Sequence, residues 1–202
     1  MNYIRLADAA DIYTGWQIPR GEPETGGHPL RAISLRDITD GHIVADGVET
    51  VSVGVPAKVD RYLVQAGDIL VACRGTVSKV AIVPPELAGA LLTSTLIGIR
   101  MDGRLFPEVV FVHLRSGRGQ RALMSRVRSA TQQIALAPGD IAQLEVPLPP
   151  MDVQRRIADL VRAAEWHYLT TERAARLRRQ IAYRLALGSM EGREAVSQRT
   201  MP

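Results

Sequence analysis

The stretch that most restricts how this chain can fold is Val146-Pro-Leu-Pro-Pro-Met-Asp-Val-Gln-Arg-Arg-Ile-Ala-Asp-Leu-Val161. Its first half cannot be helix or central strand, because Pro147, Pro149 and Pro150 lack amide donors and push the preceding residues towards extended geometry. Its second half opens a helix. Pro150 or Met151 falls in the first turn, and Asp152 meets the positive end of the helix dipole. The pattern continues to about Leu187, and Gly188-Ser189 is a plausible stop. Such a helix would span roughly 55 Å at ~1.5 Å per residue. Val153, Ile157, Leu160, Ala164, Tyr168, Thr171, Ala174, Leu177, Ile181 and Leu185 recur at steps of three and four and make one apolar stripe. The middle is lined by small residues (Ala163, Ala164, Thr171, Ala174, Ala175), so a partner helix can approach closely there. A terminal helix folded back on its own domain would also bury a stripe. This one is longer than a small domain covers, which points to a coiled coil with another chain.

The chain of 202 residues therefore divides into a globular part (1–150), a long dimerisation or scaffold helix (151–188) and a polar tail (189–202) expected to be flexible. The fold class expected is α+β, with a β-rich domain carrying short helices and then one long C-terminal helix. Cys73 is the sole cysteine, so no internal disulfide forms and a reducing compartment fits. No signal peptide opens the sequence and the longest apolar runs, such as 109–112, are too short to cross a bilayer. A soluble cytoplasmic protein is expected, with no membrane partner. Charge is unevenly placed. Residues 151–188 hold eight arginines against Asp152, Asp159, Glu165 and Glu172, whereas residues 1–150 are close to neutral. Within that neutral part lies one basic run, Arg115, Arg118, Arg121, Arg126 and Arg128, with no acid between Val109 and Gly139. Clustered like this, arginines pair with phosphates, although a solvated helix face near acids from elsewhere would look the same.

Residues 3–14 suggest a short strand or turn and then a helix with Tyr3, Ile4, Leu6, Ala9, Ile12 and Tyr13 inward. From Gly15 to Pro29 the glycines and prolines predict a loop, on which Gln17 and Arg20 stand as candidate contacts. A strand over Leu30–Leu35, a turn through Asp37 and Gly41, and a hairpin arm from the alternating Val48, Val51, Val53 and Val55 follow. Tyr62 to Val64, a turn at 66–68, and the apolar run Ile69–Cys73 lead through Arg74-Gly-Thr-Val-Ser-Lys79 into Val80–Val83. These strands form an antiparallel core, with Gly75 at a positive φ. Arg74, Thr76, Ser78 and Lys79 put a guanidinium, two hydroxyls and an ammonium on one loop, a set that can reach guanine edges or phosphates. Lys79 can equally serve only to cap the turn. A further strand is predicted around Leu96–Met101. Pro107 opens a helix to about Ser116 with Val109, Val112 and His113 on one side, and a second helix carries the arginine run. Ser129 to Gln133 reads as a polar turn in which Thr131, Gln132 and Gln133 can meet adenine edges, or merely connect.

Catalytic patterns are missing. His28, His42, His113 and His167 share no ligand spacing, and one cysteine builds no zinc site. Pro56 and Val77 stand two residues before the only lysines, Lys58 and Lys79, where a metal-dependent nuclease wants an acid. No glycine-rich cofactor loop or nucleophile elbow occurs. No catalysis, cofactor or metal is expected of this chain alone.

Four segments in order carry a resemblance: "YIRLADAADIYTGWQIP" (3–19), "YLVQAGDILVACRGTVSKVAIV" (62–83), "ATQQIALAPGDIAQLE" (130–145) and "VPLPPMDVQRRIADLV" (146–161). Together they resemble a target recognition domain and its closing helix in the specificity subunits of type I restriction-modification systems. Val153 departs from a usual Glu, Ser78 from a Gly, and Ala130 from a Gly or Ser. The resemblance implies sequence-specific recognition of double-stranded DNA and a role in phage defence. It implies a methyltransferase (modification) subunit as partner, with a motor-nuclease subunit joining. It also places the polar trio Thr93, Ser94 and Thr95 towards the nucleic acid. Relatives carry two recognition domains and two long helices, so this chain looks like a half-subunit. Pairing its helix antiparallel with a twin, or with another half, would make a dimer reading a split site. A helix of that length caps half-site separation at roughly 16 base pairs. Two other readings keep different partners: DNA recognition within another phage-defence or modification complex, and a helical adaptor that binds no DNA.

Overall fold

A four-stranded antiparallel sheet forms the centre of the computed structural model, which describes residues 2–18, 27–54, 59–74, 79–130 and 133–190. Among the described residues the strands are β1 (Asn2–Arg5), β2 (Ala10–Thr14), β3 (His28–Ile33), β4 (Ile38–Thr39), β5 (His42–Ile43), β6 (Glu49–Val53), β7 (Ile69–Ala72), β8 (Val80–Ile82), β9 (Leu91–Leu92), β10 (Leu96–Met101), β11 (Arg128–Ala130), β12 (Gln133–Ala135) and β13 (Glu145–Leu148). The helices are α1 (Pro107–Arg115), α2 (Gly117–Met124), α3 (Pro138–Ala142) and α4 (Met151–Met190).

The central sheet runs β2-β10-β7-β8. Its middle strand β7 is Ile-Leu-Val-Ala, buried on both faces, as a run without polar alternation requires. Each such Leu or Ile contributes about 1.5–3 kcal/mol by leaving water. A second sheet, β6-β3-β9, joins an antiparallel pair to a parallel one. Smaller pairs are β1-β13, β11-β12 and β4-β5. The last of these turns tightly through Asp40 (φ 49°) and Gly41 (φ 92°). The Gly41 Cα lies so close to the Arg115 guanidinium that a Cβ there would collide with it.

The antiparallel strands Ile69–Ala72 and Val80–Ile82, the strand at Leu96–Met101 and the helix opened by Pro107 occur as the sequence predicts, but Tyr62–Val64 is no strand: a 3-10 turn over Asp60–Tyr62 leads to a single bridge between Leu63 and Leu91. The helix expected in 3–14 does not. Residues 10–14 are instead strand β2, paired with β10 from Ala10↔Met101 to Thr14↔Ile97. The apolar spacing of Ala9, Ile12 and Tyr13 suits either period over so short a run, and cross-strand pairing decides it. Gly98 faces Tyr13 in this register, and a Cβ at Gly98 would stand 2.3 Å from the ring, so the ring lies on bare backbone. In α1, Val109, Val110, Phe111 and Leu114 are buried, whereas Val112 faces outward. Gly117 opens α2, where the Ser116 hydroxyl accepts from the Gly119 N–H at 3.1 Å. Gly119 packs against the end of α1, its missing Cβ within 2.0 Å of the His113 carbonyl oxygen.

The chain divides into two compact units, Met1–Ala158 and Asp159–Pro202. In the first, the opening of α4 is fixed by Gln154, only 2% exposed. Its Oε1 accepts from the Phe106 N–H (2.9 Å), while Nε2 donates to the Pro149 (3.0 Å) and Arg104 (3.3 Å) carbonyls. Ala158 is buried as well. In the second unit the helix runs to Met190, three residues past the expected Leu187, and its apolar residues are open to solvent: Leu160 is 72% exposed, Ile181 57% and Leu185 67%. Tyr168, Leu177, Ala164 and Thr171 are exposed too and Ala174 is half-buried, as are Val153 and Ile157 in the first unit.

Candidate nucleic-acid interface

Four backbone segments come together at one end of the central sheet, and several of the residues proposed from sequence stand on them. The first leaves β2 at Gly15, whose N–H reaches the Leu96 carbonyl. The chain passes so near Thr93 that a Cβ on Gly15 would sit 2.0 Å from its carbonyl oxygen, so only glycine fits. Trp16 then bridges to Thr93, with its N–H on the Leu92 carbonyl (2.6 Å) and its own carbonyl accepting from Ser94 (2.8 Å). The second segment, the β9–β10 turn at 93–95, continues to the third, because the Cys73 N–H donates to the Thr95 carbonyl (3.1 Å) and the Cys73 thiol to the Ser94 carbonyl (3.4 Å). The fourth follows β12: Leu136 N–H donates to the Cys73 carbonyl (2.9 Å), and Arg74 bridges to Ala135. Neighbouring strands lie ~4.8 Å apart, so four in a row make a rim of roughly 14 Å.

Gln17, Ser94 and Arg74 stand on this rim. Gln17 and Arg74 are exposed and Ser94 half-buried, and none of the three makes a side-chain hydrogen bond among the described residues. Burial raises the Cys73 thiol above its ordinary pKa against the opposing charge of Arg74, which keeps the sulfur neutral. The other members of the trio are differently placed. Thr93 is buried, its hydroxyl 2.9 Å from that of Thr95, and the Thr95 hydroxyl accepts from the Leu35 N–H at 3.1 Å. They brace the turn that presents Ser94. Lys79 also points inward: its ammonium donates to the Ile38 (2.7 Å) and Leu35 (3.3 Å) carbonyls. This geometry gives the Lys79 ammonium structural partners in the Leu35–Ile38 segment. Arg20, Gly75, Thr76, Ser78, Thr131 and Gln132 lie outside the described residues, as do the side chains of Arg128 and Gln133, whose backbones belong to β11 and β12.

Arg115, Arg118, Arg121 and Arg126 stand away from the rim, whereas the backbone of Arg128 pairs with Ala135 beside it. Arg118 stacks over the Tyr3 ring at 5.0 Å and donates to its hydroxyl (2.8 Å) on β1. Arg126 donates to the Gln143 carbonyl (3.0 Å), and Arg115 lies over Phe111. Arg121 projects from α2 exposed and without an ion pair among the described residues. These four run from the end of α1 along α2 and past it, and Arg121 is exposed with no hydrogen-bond partner for its side chain among the described residues.

Three groups escape a reading of motifs. The Asp68 carboxylate, 2% exposed, gathers Tyr13 Oη (2.6 Å), Arg100 and the Gln65 N–H (2.8 Å) at the end of β7 away from the rim. Only pairing across 55 positions brings Tyr13 to it. Gln154 sits inside the helix-opening motif, yet its charged neighbours draw the eye. Trp16 lies beside Tyr62, ring centroids 5.2 Å apart and planes at 67°, and Arg61 covers the Tyr62 ring at 4.6 Å. Among the described residues no group of three His, Cys, Asp or Glu can hold a metal, and no helix is long and apolar enough to cross a membrane.

A family model described as the type I restriction modification DNA specificity domain matches residues 24–165. No curated protein matches the sequence. Among solved structures, the S subunit of a type I restriction-modification system from M. genitalium aligns with a TM-score of 0.67 at 13% identity, over 96% of this chain and 46% of that one. A chain from a structure of type I R-M complex assembly and conformational transition gives 0.62 at 19% identity, over 91% and 43%. The HsdS subunit from Thermoanaerobacter tengcongensis gives 0.57 at 18%, over 86% and 39%. At these identities the likeness is one of fold, and the chain spans less than half the length of each structure.

Proposed function

The chain belongs to the type I restriction-modification DNA specificity family, and from that premise we propose that its β-rich part reads the sequence of duplex DNA for a partner subunit that carries out the chemistry. The observation that carries this reading is the rim. It offers Gln17, Ser94 and Arg74 side by side on a braced backbone, with side chains that make no hydrogen bond among the described residues. An Arg can clamp guanine O6 and N7, an amide can pair with adenine, and a hydroxyl suits either. A rim of roughly 14 Å matches about four base-pair steps of ~3.4 Å. Arg121 and its neighbours supply phosphate contacts, which fix position without reading bases. The partner is a methyltransferase (modification) subunit, with a motor-nuclease subunit as a further member of the complex.

The helix α4 is the joint. Its exposed stripe from Leu160 to Leu185 asks for cover, and its charges choose the direction. Residues 151–172 hold the helix's four acids, whereas residues 173–190 hold five arginines and no acid. A parallel pair would set five arginines beside five. An antiparallel pair sets them against Asp152, Asp159, Glu165 and Glu172, and opposes the two helix dipoles. Two copies joined this way carry two rims and read a two-part site, with a separation capped at roughly 18 base pairs by a helix of ~60 Å. The test is duplex DNA binding by the chain together with its modification subunit. Affinity that falls steeply with salt supports the proposal, and DNA binding that is absent at low salt reduces the chain to a helical adaptor.

A further inference from the structure

We infer that Trp16 is a positioning residue for sequence readout: it fixes Gln17 at the rim, and discrimination at the base pair read by Gln17 depends on it. The inference rests on the DNA-reading proposal above and gives a role to a residue that lies in the 3–19 segment without being a candidate contact there. Trp16 is the point at which the chain changes sheets. One residue earlier Gly15 is still bonded to β10, through Leu96; at Trp16 the backbone is bonded to Leu92 and Ser94 on the far side. Both backbone groups of Trp16 are therefore used, and its side chain lies half-buried on the cluster of Ala32, Val53, Val59 and Leu91 with Tyr62 at its edge. Arg61 closes the row by stacking on Tyr62 and donating to its hydroxyl. Side chains alternate along extended backbone, so seating Trp16 inward presents Gln17 outward, where it is exposed. A bulky, rigid side chain held by an edge-to-face partner defines that position far better than a small one. Trp16 itself does not reach the DNA in this account; it acts through Gln17.

The test is selection from a random duplex DNA pool by the full chain with its modification subunit, comparing wild type, Gln17→Ala, Trp16→Ala, Trp16→Phe and the double variant Trp16→Ala/Gln17→Ala. Gln17→Ala should cut preference at one base pair by about tenfold or more. Trp16→Ala should cut preference at that same base pair, leave the others in place, and add nothing further in the double variant. Trp16→Phe keeps a ring against Tyr62 and should restore most of the preference, which keeps the test valid if the alanine variant folds poorly. Loss of preference spread evenly over all positions, or a lowered melting temperature with the preference intact in both Trp16 variants, gives Trp16 a packing role only and overturns the inference. If the wild-type complex selects no sequence, the DNA-reading proposal fails first and takes this one with it.

Discussion

The guanidinium of Arg100 holds the carboxylate of Asp68 through two hydrogen bonds, Nε to Oδ1 at 3.0 Å and Nη2 to Oδ2 at 2.7 Å. The same Nη2 donates to the Leu63 carbonyl at 3.0 Å, and the guanidinium lies over the Tyr13 ring at 5.1 Å. This cluster ties β2, β10 and the turn before β7 together. Removing Arg100 leaves a carboxylate that is 2% exposed without its cation. We expect Arg100→Ala to cost about 3–5 kcal/mol, measured by urea denaturation. A loss below about 1 kcal/mol would place the pair among surface bridges of little weight.

Tyr13 gives the same cluster a pH signature. Burial, then the hydrogen bond to Asp68, raise its phenol well above the ordinary 10.0. A group whose folded pKa is raised contributes stability that is intact below its unfolded pKa and is lost as pH climbs from there towards the folded pKa. Stability should therefore begin to decline near pH 10, where the unfolded phenol ionises and the folded one does not. Tyr13→Phe should lower stability by about 1 kcal/mol at neutral pH and flatten the alkaline decline. An unchanged alkaline slope in the variant would assign the decline to other groups.

Lys79 separates fold from binding. Lys79→Met removes two charge-assisted bonds to the Leu35 and Ile38 carbonyls. The cost should be about 1.5–3 kcal/mol of stability, with the salt dependence of DNA binding unchanged. A shallower salt slope in this variant would mean that the ammonium meets a phosphate after all.

How far these relationships can be read from sequence differs by residue. The long helix is plain because its stripe repeats over many turns, and its predicted start at Met151 agrees with the structure. The strands around 69–83 and 96–101 are plain because runs such as Ile-Leu-Val-Ala have one physical use. Strand β2 is hidden, since five residues do not fix a period and its partner β10 lies far along the chain. The ribbon of β1 with β13 joins residues 2–5 to 145–148, a closure that local pattern does not encode. Within the site, residue chemistry picks out Arg74, Ser94 and Gln17 but cannot tell them from Lys79. All four are polar residues in or beside loops, and only the fold decides which side chain turns inward. Asp68 and Gln154 carry no mark in the sequence for the same reason: a buried polar residue is recognisable by its partners, and these come from distant positions.

The exposed stripe on α4 predicts self-association. In sedimentation the full chain should be a dimer at micromolar concentration, and Ile181→Asp should make it a monomer by burying an unpaired charge in the seam. Truncation after Ala158 should also give a folded monomer, because it keeps the Gln154 contacts that a cut at Pro150 would remove. A full-length chain that remains monomeric would remove the two-part site from the proposal.

The most direct measurement compares two arginine variants in the complex with the modification subunit, using sequence selection and salt titration together. Arg74→Ala should relax preference at one base pair by about tenfold or more while leaving the salt slope nearly intact. Arg121→Ala should weaken binding to every sequence alike and reduce the salt slope by about 1. If the two variants behave alike, or if Arg74→Ala leaves preference untouched, the rim is not where this chain reads DNA.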